Sequence, residues 1–138
     1  ASQQGRFTAD WQSMAFQQRL KRHAQLDILT ILDDDYPPAL LEAYQPPLVL
    51  FLRGQRALLT TRQLAVVGAR QATSYAERVT TQLLAPLATA KLTIVSGLAK
   101  GADGFAHRTA LRFNLPTIGV IGTGLDISYP RQHRDLQQ

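Results

Sequence analysis

Leu92-Thr93-Ile94-Val95-Ser96-Gly97-Leu98-Ala99-Lys100-Gly101-Ala102-Asp103 is the stretch whose reading decides the fold. An apolar run of strand length stops at Ser96-Gly97, and a helical pattern begins at residue 102. The same grammar recurs on both sides. Upstream, Leu64-Ala65-Val66-Val67 ends at Gly68, and residues 74–89 carry a helical pattern. Downstream, residues 102–113 read as a helix and Thr117-Ile118-Gly119-Val120-Ile121 as a strand that ends at Gly122-Thr123-Gly124. Strands without polar alternation, separated by helices, are buried on both faces, which predicts a parallel sheet with helices on both faces. Gly68 and Gly97 stand 29 positions apart, and Gly97 and Gly122 stand 25 apart. These are the lengths of βαβ units. Right-handed crossovers then bring all three glycine turns to the carboxyl edge of the sheet. Pro86 falls inside the first helical pattern, where a proline kinks or stops a helix.

The part before residue 64 is less regular. Residues 9–24 read as an amphipathic helix with Trp11, Met14, Ala15 and Leu20 on its apolar stripe, capped by Thr8. Residues 1–26 are assigned to this helix and a linker. Asp27–Leu32 and Leu48–Leu52 read as strands, with a short helix at Ala39–Ala43 after Tyr36-Pro37-Pro38 and a connecting turn at Arg56–Thr61. The Asp33-Asp34-Asp35 run lacks the spaced ligands and turn glycine of a calcium loop, so it reads as a solvated turn. Residues 131–137 read as the start of a further helix. The whole of 27–138 is taken as one domain.

Composition narrows the function. Of 138 residues, 45% are hydrophobic, as a packed core requires, and there is no cysteine. That excludes a disulfide scaffold and any thiolate metal site, and fits a reducing, cytoplasmic setting. No apolar run approaches the roughly 20 residues of a membrane helix. The first residues lack the apolar core of a signal peptide and a starting Met, as a trimmed piece would. Charge is uneven. Residues 1–61 hold six Lys/Arg and six Asp/Glu, and residues 62–138 hold nine and four, so the whole formal charge of +5 lies in the second part. Such a basic half faces either a polyanionic partner or solvent.

Three glycine turns with two cations discriminate between these. Gly68-Ala69-Arg70, Ser96-Gly97 with Lys100-Gly101, and Gly122-Thr123-Gly124 offer main-chain N–H groups that an anion can approach without a Cβ in the way. Arg70 can grip a phosphate bidentately and Lys100 adds a point charge. Turns that only join strand to helix need no such cations, so an anion-binding crevice is the better reading. The first turn has one of the three glycines of a dinucleotide fingerprint, and no acid lies between Glu77 and Asp103 to hold a ribose. No Gly-Lys-Ser/Thr is present. Neither a nicotinamide cofactor nor NTP hydrolysis is expected, and no cofactor is assigned. Ser96, Asp103 and His107 invite a catalytic triad, but Ile94 and Leu98 stand where a nucleophile elbow needs glycines. Asp103 and His107, four residues apart on one helix face, are read instead as a local pair that orders the loop. His23 and His133 have no ligand-spaced partner, so no metal is assigned. Phe105 and Tyr129 read as core residues in preference to base-stacking ones.

Four motifs in order resemble a known family. Ser96–Asp103 with Ala106-His107 is similar to the pattern S-G-L-A-R/K-G-I-D-x-x-A-H. Gly122-Thr123-Gly124-Leu125-Asp126 with Tyr129-Pro130 is similar to G-T-G-L-D-x-x-Y-P, and Gly68-Ala69-Arg70 to G-S-R. Asp35-Tyr36-Pro37, Leu40, Pro46-Pro47 and Arg53-Gly54 resemble the lead-in. From about residue 27 onward the chain resembles the DprA/Smf family, the DNA-processing protein A group. The resemblance implies a Rossmann-like fold, homodimers, single-stranded DNA binding, and loading of RecA recombinase during natural transformation, with no enzymatic step. It places Arg70 on the family's DNA-contacting arginine, and Ser96, Gly97, Lys100, Gly122, Thr123 and Gly124 on the loops of the same pocket. Ala69 replaces a serine, Ala102 an isoleucine and His133 a frequent asparagine. A further strand and a basic segment, expected after Gln138 in the family, carry more DNA contacts and dimer surface. The rival reading is a nucleotide- or phosphosugar-binding enzyme or sensor that uses the same crevice.

Overall fold

The computed structural model describes residues 26–137, so the helix expected at 9–24 lies outside the described residues. The chain divides into two compact units, Ala1–Gly54 and Gln55–Gln138, a boundary inside the stretch read from sequence as one domain.

In the first unit, β1 (Asp27–Thr30) pairs antiparallel with β2 (Val49–Leu52), with Leu29 opposite Leu50. The acidic run ends β1. The Asp33 carboxylate accepts hydrogen bonds from the Thr30 N–H at 2.6 Å and the Thr30 hydroxyl at 3.0 Å. This side chain closes a turn, as aspartate does where it competes with the ladder for main-chain donors. Tyr36 is buried, and its hydroxyl donates to the Pro47 carbonyl at 2.6 Å, tying the first proline pair to the second. Between them lies a single helical turn, α1 (Pro38–Leu41), with proline at its start.

The second unit holds the expected parallel sheet. β3 (Gln63–Ala65), β4 (Thr93–Ser96) and β5 (Thr117–Gly119) lie in the order β3-β4-β5, with Leu64 beside Ile94 and Ile94 beside Thr117. The crossovers are α2 (Ser74–Leu84) and α3 (Ala102–Arg112). The α-helical hydrogen bonding of α2 stops before Pro86, and a 3-10 turn, Ala85–Thr89, carries the chain on. Asn114, at φ 55°, ends α3 in the left-handed conformation that asparagine tolerates, and the Leu115 N–H donates to the Ala110 carbonyl at 2.8 Å. The segment read as a further helix is shorter, a 3-10 turn at Arg131–His133.

The core joins Leu84, Leu92, Ile94, Ala106, Ala110 and Leu115. Ala106 and Ala110 are four apart on one face of α3, and their small side chains let the helix come close over Ile94. Burying each of the large aliphatic side chains contributes about 1.5–3 kcal/mol. Consecutive right-handed crossovers in a β3-β4-β5 order put both helices on one face of the sheet, and α2 packs on α3. Of the two covering layers expected from sequence, residues 55–137 therefore supply one. Just past the strand ends, Val67 is 84% exposed and Val120 61%.

Candidate nucleic-acid interface

Turn one follows β3, turn two joins β4 to α3, and turn three follows β5. Turns one and two are stitched together by main-chain atoms. The Ala102 N–H, at the start of α3, donates to the Ala69 carbonyl at 3.2 Å. Gly101 has φ 73° and ψ −126°, and a Cβ there would fall 2.7 Å from the Arg70 carbonyl oxygen and closer still to that of Ala69. A Cβ on Gly68 would fall 2.6 Å from the Ala102 Cβ. These two glycines allow the turns to touch, a reason beyond turn geometry alone.

Turn two is tightly held. Ser96 is 4% exposed, and its hydroxyl donates to the Val66 carbonyl at 2.7 Å, fastening the end of β4 to β3. The Ser96 carbonyl accepts the Val120 N–H at 2.8 Å, fastening it to β5. An Asp103 carboxylate oxygen accepts the Ala99 N–H at 3.2 Å, closing the turn over the first residues of α3. Leu98 adopts φ 58°, a left-handed conformation that L-residues disfavour by roughly 1–2 kcal/mol. Its side chain is buried over Gly119, where a Cβ would fall 2.9 Å from the Leu98 Cγ. Its carbonyl accepts a hydrogen bond from His133 Nδ1 at 2.9 Å.

Turn three adjoins through its flanks. Val120 before it and His133 after it bond to turn two, whereas no hydrogen bond joins Gly122–Gly124 to the other turns among the described residues. Gly122, Thr123 and Gly124 are exposed, and Asp126 folds back against Gly124. The Tyr129-Pro130 bond is cis; Pro130 is buried and Tyr129 exposed, while Phe105 is half-buried.

The cations stand on the two stitched turns. Arg70 and Lys100 are exposed, and neither has a hydrogen bond or ion pair among the described residues. Asp103, the carboxylate closest to Lys100 in sequence, is engaged with the Ala99 N–H. The expected Asp103–His107 contact is replaced by two separate ones. His107 is 2% exposed and its Nδ1 lies 2.8 Å from the Thr117 hydroxyl. That hydroxyl donates its proton to the Ile94 carbonyl at 3.0 Å, so His107 Nδ1 is the donor to Thr117. Nε2 is buried without a partner. Burial holds the His107 pKa below 6.5, against the opposing pull of the Asp103 charge. The Ser96 hydroxyl and His107 Nδ1 thus face different partners and form no nucleophile–base pair. Among the described residues, no cluster of three metal-ligating side chains occurs and no helix is long and apolar enough to cross a membrane.

The contribution of His133 was not legible from sequence. Its partner carbonyl lies 35 residues away, and neither periodicity nor ligand spacing links the two.

Comparison with known proteins agrees with this frame. A family described as DNA recombination-mediator protein A matches residues 27–138. DNA processing protein DprA of Streptococcus pneumoniae is 42% identical over 117 residues, which cover 85% of this chain and 41% of that protein. Protein Smf of Escherichia coli is 46% identical over 101 residues, covering 73% of this chain and 27% of that one. The chain therefore spans less than half of either relative. The crystal structure of the pneumococcal protein superposes with a TM-score of 0.81 at 41% identity, over 88% of this chain and 43% of that one. A structure of DNA processing protein A from Helicobacter pylori, which concerns that protein's single-stranded DNA binding mode, superposes with a TM-score of 0.68 at 32% identity, over 83% of this chain and 52% of that one. By sequence match over residues 27–138 and by fold, the chain belongs to the DNA recombination-mediator protein A family, the DprA/Smf group.

Proposed function

We propose that this chain holds single-stranded DNA during DNA processing, with the phosphates seated on turns one and two. The observation that carries the reading is the stitched pair of turns, which presents Arg70 and Lys100 exposed and unengaged on a frame fixed by main-chain contacts. Unengaged cations on a rigid frame suit a polyanion, because no internal ion pair has to break before phosphate binds. The relative whose structure concerns single-stranded DNA binding has the same fold. Binding through backbone and cations is tolerant of sequence and weakens steeply with salt.

The proposed role is non-catalytic. In support, Ser96 and His107 are buried and engaged elsewhere, so they do not pair as nucleophile and base. In the cytoplasm, the full protein would shield incoming single strands and help load RecA recombinase onto them, acting as a homodimer. The test is a fluorescence-anisotropy titration of labelled oligo-dT, duplex DNA and a mononucleotide at two salt concentrations. Arg70→Ala or Lys100→Ala should each weaken oligo-dT binding about 10- to 100-fold, the loss of one charged hydrogen bond of ~1.5–3 kcal/mol. Each should also flatten the salt dependence by ~0.7 in log–log slope for a single strand. Equal affinity of wild type and variants at low salt, or tight mononucleotide binding with little salt dependence, would overturn the assignment.

A further inference from the structure

Turn two is gripped from outside the glycine turns. His133 is 6% exposed, and its Nδ1 meets the Leu98 carbonyl at 2.9 Å. A carbonyl only accepts, so this nitrogen carries the proton. The ring has a dedicated seat: a Cβ on Gly104, in the first turn of α3, would fall 2.6 Å from His133 Cε1 and 2.8 Å from Nε2. The peptide it holds is the one that needs holding. Leu98 lies at φ 58°, a conformation a leucine leaves unless its surroundings fix it. Ala99 and Lys100 follow directly, so a change at Leu98 swings both the Lys100 side chain and the main-chain donors at the head of α3.

We propose that His133 is a positioning residue of the nucleic-acid site. Its Nδ1–H locks the Leu98 carbonyl, and so keeps turn two in the shape that presents Lys100 and the neighbouring amides to phosphate. This rests on the reading of turns one and two as the DNA-holding surface. Gly104 belongs to the same device, since any larger residue presses on the ring, lifts it and breaks the bond while residue 133 stays histidine.

The experiment uses the full chain with three substitutions, His133→Ala, His133→Asn and Gly104→Ala. Labelled oligo-dT binding is read at two salt concentrations, with urea unfolding in parallel. Asparagine is the conservative replacement, because its amide nitrogen stands as far along the side chain as Nδ1 and donates to a carbonyl. The expected result is a tenfold or greater loss of affinity and a flatter salt dependence for His133→Ala, the same for Gly104→Ala, and recovery toward wild type for His133→Asn. A folded His133→Ala or Gly104→Ala chain with wild-type affinity and slope overturns the proposal, as does a folded His133→Asn chain no better than His133→Ala. Should His133→Ala fail to fold, the other two variants decide. Arg70→Ala separates the two levels: if it weakens binding while the His133 and Gly104 variants do not, only the positioning role fails. If it changes nothing, the binding surface itself was misplaced.

Discussion

Replacing Gly101 by alanine attacks the stitch between turns one and two directly. The backbone at this position, φ 73° and ψ −126°, is one that an L-residue enters at a cost of about 1–3 kcal/mol. The new methyl would also press on two main-chain carbonyl oxygens, one of them at 2.7 Å. Main-chain atoms have no alternative rotamer, and overpacking of this kind costs roughly 1–3 kcal/mol. With the frame unchanged the two penalties add to about 2–6 kcal/mol. Relaxation is cheaper: parting the turns gives up the bond from the Ala102 N–H to the Ala69 carbonyl, worth ~0.5–1.5 kcal/mol net. The chain should therefore take the second route and stay folded, since domains hold about 5–15 kcal/mol in reserve. The expected stability loss is about 1–3 kcal/mol in urea unfolding, smaller than the sum of the penalties, because separation removes the clash and lets φ relax. Binding should suffer more in proportion, since Arg70 and Lys100 no longer share one frame. Oligo-dT affinity should fall tenfold or more in an anisotropy titration at low salt. Wild-type stability together with wild-type affinity would refute the account of how the turns are joined.

Gly122 is the contrasting case. A Cβ there meets nothing within 4 Å, so Gly122→Ala should leave urea unfolding unchanged within about 0.5 kcal/mol, and any loss of oligonucleotide binding would report close backbone approach by DNA. Ser96→Ala should destabilise the chain by ~1–3 kcal/mol in urea unfolding, because it strands the buried bond to the Val66 carbonyl. His107 supplies a pH dependence. Its pKa is lowered in the folded chain, so the unfolded chain binds the proton first as pH falls below 6.5. Its share of stability is complete above that value and is lost as pH drops toward the folded pKa. The urea midpoint should therefore fall more between neutral and mildly acidic pH in the wild type than in His107→Gln; parallel curves would refute this.

Much of the frame was legible in the sequence because it is local. Apolar runs stopped by glycine gave β3, β4 and β5 their places, and Pro86 announced the end of α2. Turns one and two were recognisable from Gly68, Gly101, Arg70 and Lys100. What escaped depends on competition between distant partners. Spacing alone puts Asp103 beside His107, but the Ala99 N–H and the Thr117 hydroxyl are closer partners once the chain is folded. Ser96 resembles a ligand in its motif, yet its proton is taken by a carbonyl on the neighbouring strand. His133 looked solitary because its acceptor is a main-chain group, and main-chain groups leave no trace in residue type. Val67 and Val120 read as strand residues, yet they lie past the ends of β3 and β5 and are exposed, because an apolar run does not show where the ladder stops.

The join between turns one and two has a consequence for how such a surface can diversify. Its shape resides in peptide groups and in the absence of side chains at 68 and 101, whereas its charge resides in side chains with no hydrogen bond or ion pair among the described residues. For the fold, the usual order of tolerance is thereby reversed: the large charged residues are detachable fittings and the smallest residues are the fixed chassis. On the proposed DNA-holding surface, swapping Arg70 or Lys100 would retune affinity or salt response within one scaffold, while a single methyl group at 101 would reshape the surface itself.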